Sequence, residues 1–275
     1  KLTERAGAPR DVAERLLIPL IASSRGMPIA RARHPSAAGG VRVMGLRAER
    51  DPHSFRLEGG LATYTDRLVE DSPRGVFKLG TPARALERTP EGLWVHSTAA
   101  PERFDAVILA CDWHNSAALC ATSPHLDAWT RAFRAFTDYE VTVAVHRDLR
   151  LMPANRHCWG ASNFWLTRDV QPRTTVWSGR PTNTDVFRTW LRPGESEPEG
   201  TSHVAHYRHI DCSIEHAARQ STLSRLQGTD DLWAVGMYTD GIDNHESALR
   251  SALKVARRIA PNAARVRWFG QKVSR

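Results

Sequence analysis

Leu232 to Ala260 reads LWAVGMYTDGIDNHESALRSALKVARRIA, and this stretch decides the fold. Leu232 to Tyr238 is an apolar run of strand length, and a turn rich in Gly and Asp follows it. From Asn244 the apolar residues Ala248, Leu249, Ala252, Leu253, Ala256 and Ile259 recur at helical spacing until Pro261 stops them. Asp243 and Glu246 have the spacing of a capping box at the helix start. Arg250, Lys254 and Arg257 occupy the opposite, solvated face, toward the end where the helix dipole favours cations. A strand running into a helix start leaves unpaired backbone N–H groups and partial positive charge at the junction, a place for an anion or an electron-rich carbonyl. On physics alone the stretch is equally one more strand-turn-helix unit of an α/β domain.

Outward from it, Phe104 to Cys111 (FDAVILAC) is a second short apolar run, read as a strand buried on both faces whose carboxyl end lies where open sheets bind ligands. Strand patterns also cover Gly75 to Leu79, Ala83 to Arg88 and Leu93 to Ser97, the last after a Pro90-Glu91-Gly92 turn. Leu61 to Glu70 reads as a helix after Gly59-Gly60, and Arg10 to Ser24 as another that Pro19 kinks or shortens. Between Asp138 and Tyr207 several strands alternate with Pro-rich loops, among them Tyr139 to Arg147, Thr174 to Ser178 and Val186 to Leu191. Ser213 to Leu226 returns to helix. The expected division is two units, a discontinuous α/β one of residues 55–120 with 228–275 and a mainly antiparallel one of residues 1–54 with 121–227.

Composition sets the class. The 275 residues are 41% hydrophobic and 25% charged, an ordinary globular balance, and no apolar run approaches the roughly 20 residues of a membrane span. The net charge of +8 comes mostly from scattered arginines rather than from a basic cluster, which argues against a nucleic-acid partner. Cys111, Cys120, Cys158 and Cys212 form no C-x-x-C pair, which suits free thiols in a reducing cytoplasm and gives no structural zinc site. The chain opens on Lys1 without a basic-then-apolar leader, as a cut or processed end would.

The Leu232 to Ala260 stretch is similar to the C-terminal flavin-contacting motif of FAD-dependent amine oxidases, phytoene-type desaturases and their bacterial relatives. Gly236 stands at the strand-end glycine and Glu246-Ser247-Ala248 at the helix start, while His245 to Ala252 resembles a bacterial NAD/FAD-binding branch. Met237 stands where the group usually has an acidic residue. Gly59-Gly60, the Ala83 strand, Gly92-Leu93-Trp94-Val95 and FDAVILAC follow in the group's order. The resemblance implies an amine-oxidase-like, Rossmann-type FAD-binding domain joined to a sheet-rich substrate domain. It also implies FAD as cofactor, with Ala83 at the adenine and Gly236, Met237, His245, Glu246, Ser247 and Ala248 near the flavin.

The group's opening strand, G-x-G-x-x-G turn and helix have no counterpart here, so this FAD-binding domain is incomplete. The expected partner is an N-terminal FAD-binding polypeptide or fragment, making the assembly heteromeric. The implied reaction is hydride transfer from a small, apolar organic substrate to FAD, by amine or alcohol oxidation, desaturation or isomerisation. No lysine lies between Lys78 and Lys254, where amine oxidases of the group commonly place one beside the flavin. Tyr238 and His245 are the candidates for orienting substrate, or they only pack and cap. Trp159, Trp165, Trp177 and Trp190 are candidates for an apolar pocket, or for ordinary sheet packing. His203, His206 and His209 would share a helix face but alternate in a strand, and Asp240, Asp243 and Glu246 lack calcium-loop spacing, so no metal is expected. The competing reading is a non-catalytic or degenerate flavoprotein subunit that supports a partner chain.

Overall fold

The structure is a computed structural model that describes residues 9–33, 57–166, 172–192, 194–241 and 244–273. Helical turns begin at Arg10, pass through a π segment over Ala13–Leu17 and continue as α1 (Ile18–Ser24). Pro19 therefore does not end the helix; the wider turn just ahead of it accommodates the missing N–H. Leu61–Glu70 forms α2, as expected, with no buried residue. An antiparallel meander follows: β1 (Ala85–Thr89), β2 (Gly92–His96) and β3 (Glu102–Phe104). The strand expected at Gly75 to Leu79 is absent, and Val76 and Leu79 are 83% and 91% exposed. Apolar alternation there has no neighbouring strand to hydrogen-bond among the described residues.

β4 (Val107–Leu109) leads into α3 (Trp113–Cys120), and α4 (Asp127–Arg134) follows. Next come β5 (Asp138–His146), β6 (Ser162–Leu166), β7 (Pro172–Trp177), β8 (Phe187–Leu191) and β9 (His203–Ile210), which build one antiparallel sheet in the order β6-β7-β8-β5-β9. Then α5 (Ile214–Leu226), β10 (Leu232–Ala234), α6 (His245–Ile259) and α7 (Ala264–Val273) complete the chain. β10 pairs parallel with β4. The result is a mixed α/β fold with a mainly antiparallel large sheet, as the sequence implied. Among the described residues no helix is long and apolar enough to cross a membrane.

One core gathers Leu86, Leu93, Leu109, Trp129, Phe133 and Leu232 with Leu223 and Tyr238. Trp129, Phe133 and Leu223 come from segments expected in the antiparallel unit, so this core joins α4 and α5 to the parallel pair. A second core packs Ala22 and Met27 against Tyr139 and Val141 of β5.

α6 departs from its expected packing. Its buried stripe is Ser247, Ser251 and Val255, whereas Leu249 and Ile259 are 38% and 44% exposed. The apolar face read from the sequence is largely uncovered because the helix docks through small residues, which let its backbone come close to the turn after β10. Asn244 caps it, its Oδ1 accepting the Ser247 N–H at 2.8 Å. The cap thus lies one residue beyond the expected Asp243, which is outside the described residues.

Gln227 closes the outer edge of β10. Its amide accepts the Ala234 N–H at 3.0 Å and donates to the Ala234 carbonyl at 2.8 Å, doing what a neighbouring strand would do. Gln227→Ala should destabilise the fold by about 1–3 kcal/mol, because it orphans a buried backbone donor and acceptor. Denaturant unfolding checks this, and an unchanged midpoint would show that Gln227 does not hold the edge.

Candidate functional site

The parallel register sets Leu232 opposite Val107 and Ala234 opposite Leu109, and the Val235 N–H continues the ladder to the Leu109 carbonyl at 2.9 Å. Both strands therefore end at one edge, and each runs into a helix there. After β4, Asp112 caps α3, accepting the Asn115 N–H at 2.9 Å and the Asn115 side-chain amide at 2.7 Å. After β10, Gly236 has φ 142°, a conformation L side chains rarely adopt, and a Cβ there would meet the Tyr238 ring at 2.9 Å. The Gly236 N–H donates to Ser251 Oγ at 2.9 Å, which ties α6 to the strand end. Asp240 accepts from Arg250 and Lys254, and burial works against the hydrogen bonds of these cations, which hold its carboxyl below the ordinary range.

The two outer edges of the pair differ. β10 is capped by Gln227, but β4 has no second strand among the described residues. Because the Leu109 carbonyl faces β10, the alternation of a strand turns the Ile108 backbone the other way, toward a groove of about 570 Å³. Ala83, Leu86, Val107, Ile108, Cys111 and Asn115 are among the residues that line it. Ile108 is 49% exposed, so this strand is not covered on both faces as expected.

The structure places the remaining sequence-nominated residues as follows. Ala83 lines the β4 groove, and Gly236 and the half-exposed Met237 stand at the end of β10. His245 and Glu246 are exposed at the start of α6, and the His245 ring meets Tyr64 edge-on at 5.7 Å. Ser247 is buried and Ala248 half-buried. Tyr238 is 2% exposed, packed edge-on to Trp113, Phe133 and Phe136, with its hydroxyl 3.4 Å from Ser116 Oγ; burial raises its pKa. It supports the strand end from within the core. Burial also pushes the Cys120 thiol up to about 12, which makes it inert at neutral pH.

The four tryptophans are not gathered at this edge. The indole N–H groups of Trp159, Trp165 and Trp177 donate to the backbone carbonyls of Pro153, Leu151 and Thr184, and Trp190 packs on Gly26. In β9 the histidines alternate. His206 bonds Thr142 at 3.1 Å on one face, and His209 stacks on Tyr139 on the other.

A polar cluster that the sequence reading missed lies at the β4 edge. His114, the second residue of α3, bonds Asp138 of β5 at 2.5 Å and lies 3.3 Å from Arg208 of β9, which in turn sits 3.7 Å from Glu140. Beside it, the buried Trp113 Nε1–H has no acceptor among the described residues. The only local signal was the Asp112-x-x-Asn115 capping pattern; the partners from β5 and β9 are brought in by the tertiary fold.

Residues 38–207 match the family model described as flavin containing amine oxidoreductase. Among solved structures, a protein from Exiguobacterium sp. 255-15 assigned as a protoporphyrinogen oxidase aligns with a TM-score of 0.61 and 18% identity, over 90% of this chain and 63% of its own. Cyclohexylamine oxidase from Brevibacterium oxydans IH-35A aligns with a TM-score of 0.60 and 12% identity, over 94% of this chain and 66% of its own. At such identities the likeness speaks for the fold, and the chain spans just under two thirds of each of these structures. No curated protein matches.

Proposed function

Because this chain belongs to the flavin-containing amine oxidoreductase family, for which FAD is the implied cofactor, we propose that it works as part of a flavin-dependent oxidoreductase acting on a small organic substrate. The observation that carries the proposal is the unequal pair of strand edges: Gln227 closes β10, whereas β4 offers an open ladder beside an apolar groove. A third parallel strand fits that edge, and a strand-turn-helix segment with a G-x-G-x-x-G turn is the occupant that would supply it. Such a segment would also cover the exposed Ile108 of β4. It is supplied by a separate polypeptide, a cleaved piece or a longer form of the chain.

The residues present fit two ends of the cofactor. Ala83 and Leu86 give the groove an apolar wall suited to adenine. Gly236 leaves the strand end without a side chain, whose Cβ would meet the Tyr238 ring, and the start of α6 directs partial positive charge toward an electron-rich edge. No Gly-rich turn in this sequence cradles a pyrophosphate, so the added segment has to hold it. Bound FAD supplies a hydride acceptor, the step that amine oxidation, alcohol oxidation and desaturation share. His114, fixed by Asp138, presents a polar side chain at the same edge and orients the polar part of the substrate. Trp159, Trp165, Trp177 and Trp190 lie away from this edge, in and beside the antiparallel sheet, and take no part in this arrangement.

The test is co-expression with a strand-GxGxxG-helix segment from a relative, followed by gel filtration in FAD. A yellow complex absorbing near ~450 nm is expected. A folded complex that stays colourless would reject the enzyme reading in favour of the supporting-subunit one.

A further inference from the structure

We infer that the groove beside the β7–β8 turn is an oxyanion site that takes a phosphate group. The groove is an open one of about 600 Å³, with Arg180, Arg188, Ser162 and Ser178 on its walls beside Trp177 and Pro181 and no carboxylate among them. It is independent of the cofactor proposal. Arg188 pairs with Val145, seven residues along β5 from the Asp138 that meets α3, a separation of about 23 Å.

The register builds the floor. Ser162 lies opposite Val176, and Val176 opposite Arg188, so one row across three strands sets Ser162 and Arg188 on the same face, and both line the groove. The far wall is a stapled turn. The Gly179 N–H donates to the Val186 carbonyl at 2.9 Å, the Thr182 and Thr184 N–H groups donate to the Gly179 carbonyl at 3.1 and 3.0 Å, and the Trp177 indole donates to the Thr184 carbonyl at 2.8 Å. Arg180 therefore rises from a backbone already fixed, which cuts the ordering entropy that binding would otherwise cost.

Neither guanidinium is paired with a carboxylate among the described residues. Arg188 lies over the Trp190 ring at 5.3 Å, and Asp185, the carboxylate on this turn, is held by both terminal nitrogens of Arg156 at 2.8 and 3.3 Å. Two unpaired forks and two hydroxyls provide more donors than the two oxygens of a carboxylate accept, and they match the oxygens of a phosphate. The remaining arginines are dispersed, so the site suits a single phosphate rather than a nucleic-acid backbone.

Calorimetric titration of the chain with inorganic phosphate, at ionic strength held constant with chloride, tests the assignment. One saturable site per chain is expected. Arg180→Ala and Arg188→Ala should each weaken it at least tenfold, while Arg257→Ala on the solvent face of α6 should leave it unchanged. Arg180 is on an exposed turn, so its variant should keep the parent melting temperature and can be read even where Arg188→Ala does not fold. Absence of saturable heat, or parent-like affinity in Arg180→Ala, overturns the site. Phosphatidic acid vesicles separate the two sources of phosphate. Pelleting that inorganic phosphate displaces assigns a lipid headgroup, saturable phosphate binding without pelleting assigns a soluble phosphate, and pelleting that survives Arg180→Ala counts against the site.

Discussion

Trp129→Ala is expected to lower stability by about 3–5 kcal/mol, as removal of a fully buried large aromatic does. Trp129 has no exposed surface, stacks on Phe133 with ring centroids 5.8 Å apart, and its indole N–H donates to Thr229 Oγ1 at 3.2 Å. Thr229 begins the short turn that delivers the chain into β10. The variant should therefore loosen the parallel pair as well as the α4 core, and hydrogen exchange at Trp233 and Ala234 should rise with the fall in denaturation midpoint. Trp129→Phe keeps most of the packing and should cost far less. If Trp129→Ala unfolds at the parent midpoint, this account of the core is wrong.

Asp148→Ala should cost about 2–4 kcal/mol through backbone groups that lose their acceptor. Asp148 is 5% exposed and accepts the N–H groups of Arg150 and Glu199 at 3.0 and 3.1 Å, tying the end of β5 to the chain before β9, while Arg150 adds two side-chain bonds at 2.8 and 2.7 Å. The Arg150 guanidinium first, then these backbone donors, hold its carboxyl well below the usual range despite burial. A lowered carboxylate pKa stabilises the fold fully above the unfolded value near ~4 and loses that contribution as pH falls toward the folded value. Asp148→Asn should flatten the acid limb of stability below about pH 4.

His146, two residues earlier, gives the neighbouring window. Its ring is 1% exposed, bonds Thr189 Oγ1 at 2.8 Å and accepts the Asp148 N–H at 3.1 Å; burial lowers its pKa although Asp148 pulls the other way. The folded state resists the proton that the unfolded chain takes up, so stability falls as pH drops below about 6.5 and levels off beneath the folded value. Melting curves from pH 8 to 4 should resolve the His146 step, and the Asp148 loss should follow only below about pH 4. An unchanged midpoint across that range would remove the buried neutral imidazole from the account.

Much of the fold was legible along the chain. α2 spans the residues read from its pattern, and β5, β7 and β8 fall where β-branched residues cluster. The Gly75 to Leu79 strand failed because a strand needs a neighbour, and no local pattern reports one. α6 was placed within a residue but its buried face was misread. Ser247 and Ser251 are small enough to admit the helix to the Gly236 turn, and hydropathy does not measure close approach.

The candidate site divides the same way. Local residues sufficed for Gly236 and for the helix start, since a strand end, a glycine turn and a cap are all short-range features. The cluster of His114, Asp138, Glu140 and Arg208 joins residues up to 94 positions apart, and only strand pairing brings them together. The sequence by itself determined the alternation of strands and helices and the glycine turn, because these rest on contacts within a few residues, and its motifs carried the resemblance to the family. Tertiary structure decided which strand edge is closed and which is open. That depends on where Gln227 reaches and where no described residue does, and a hydrogen bond across space leaves no periodicity in the chain.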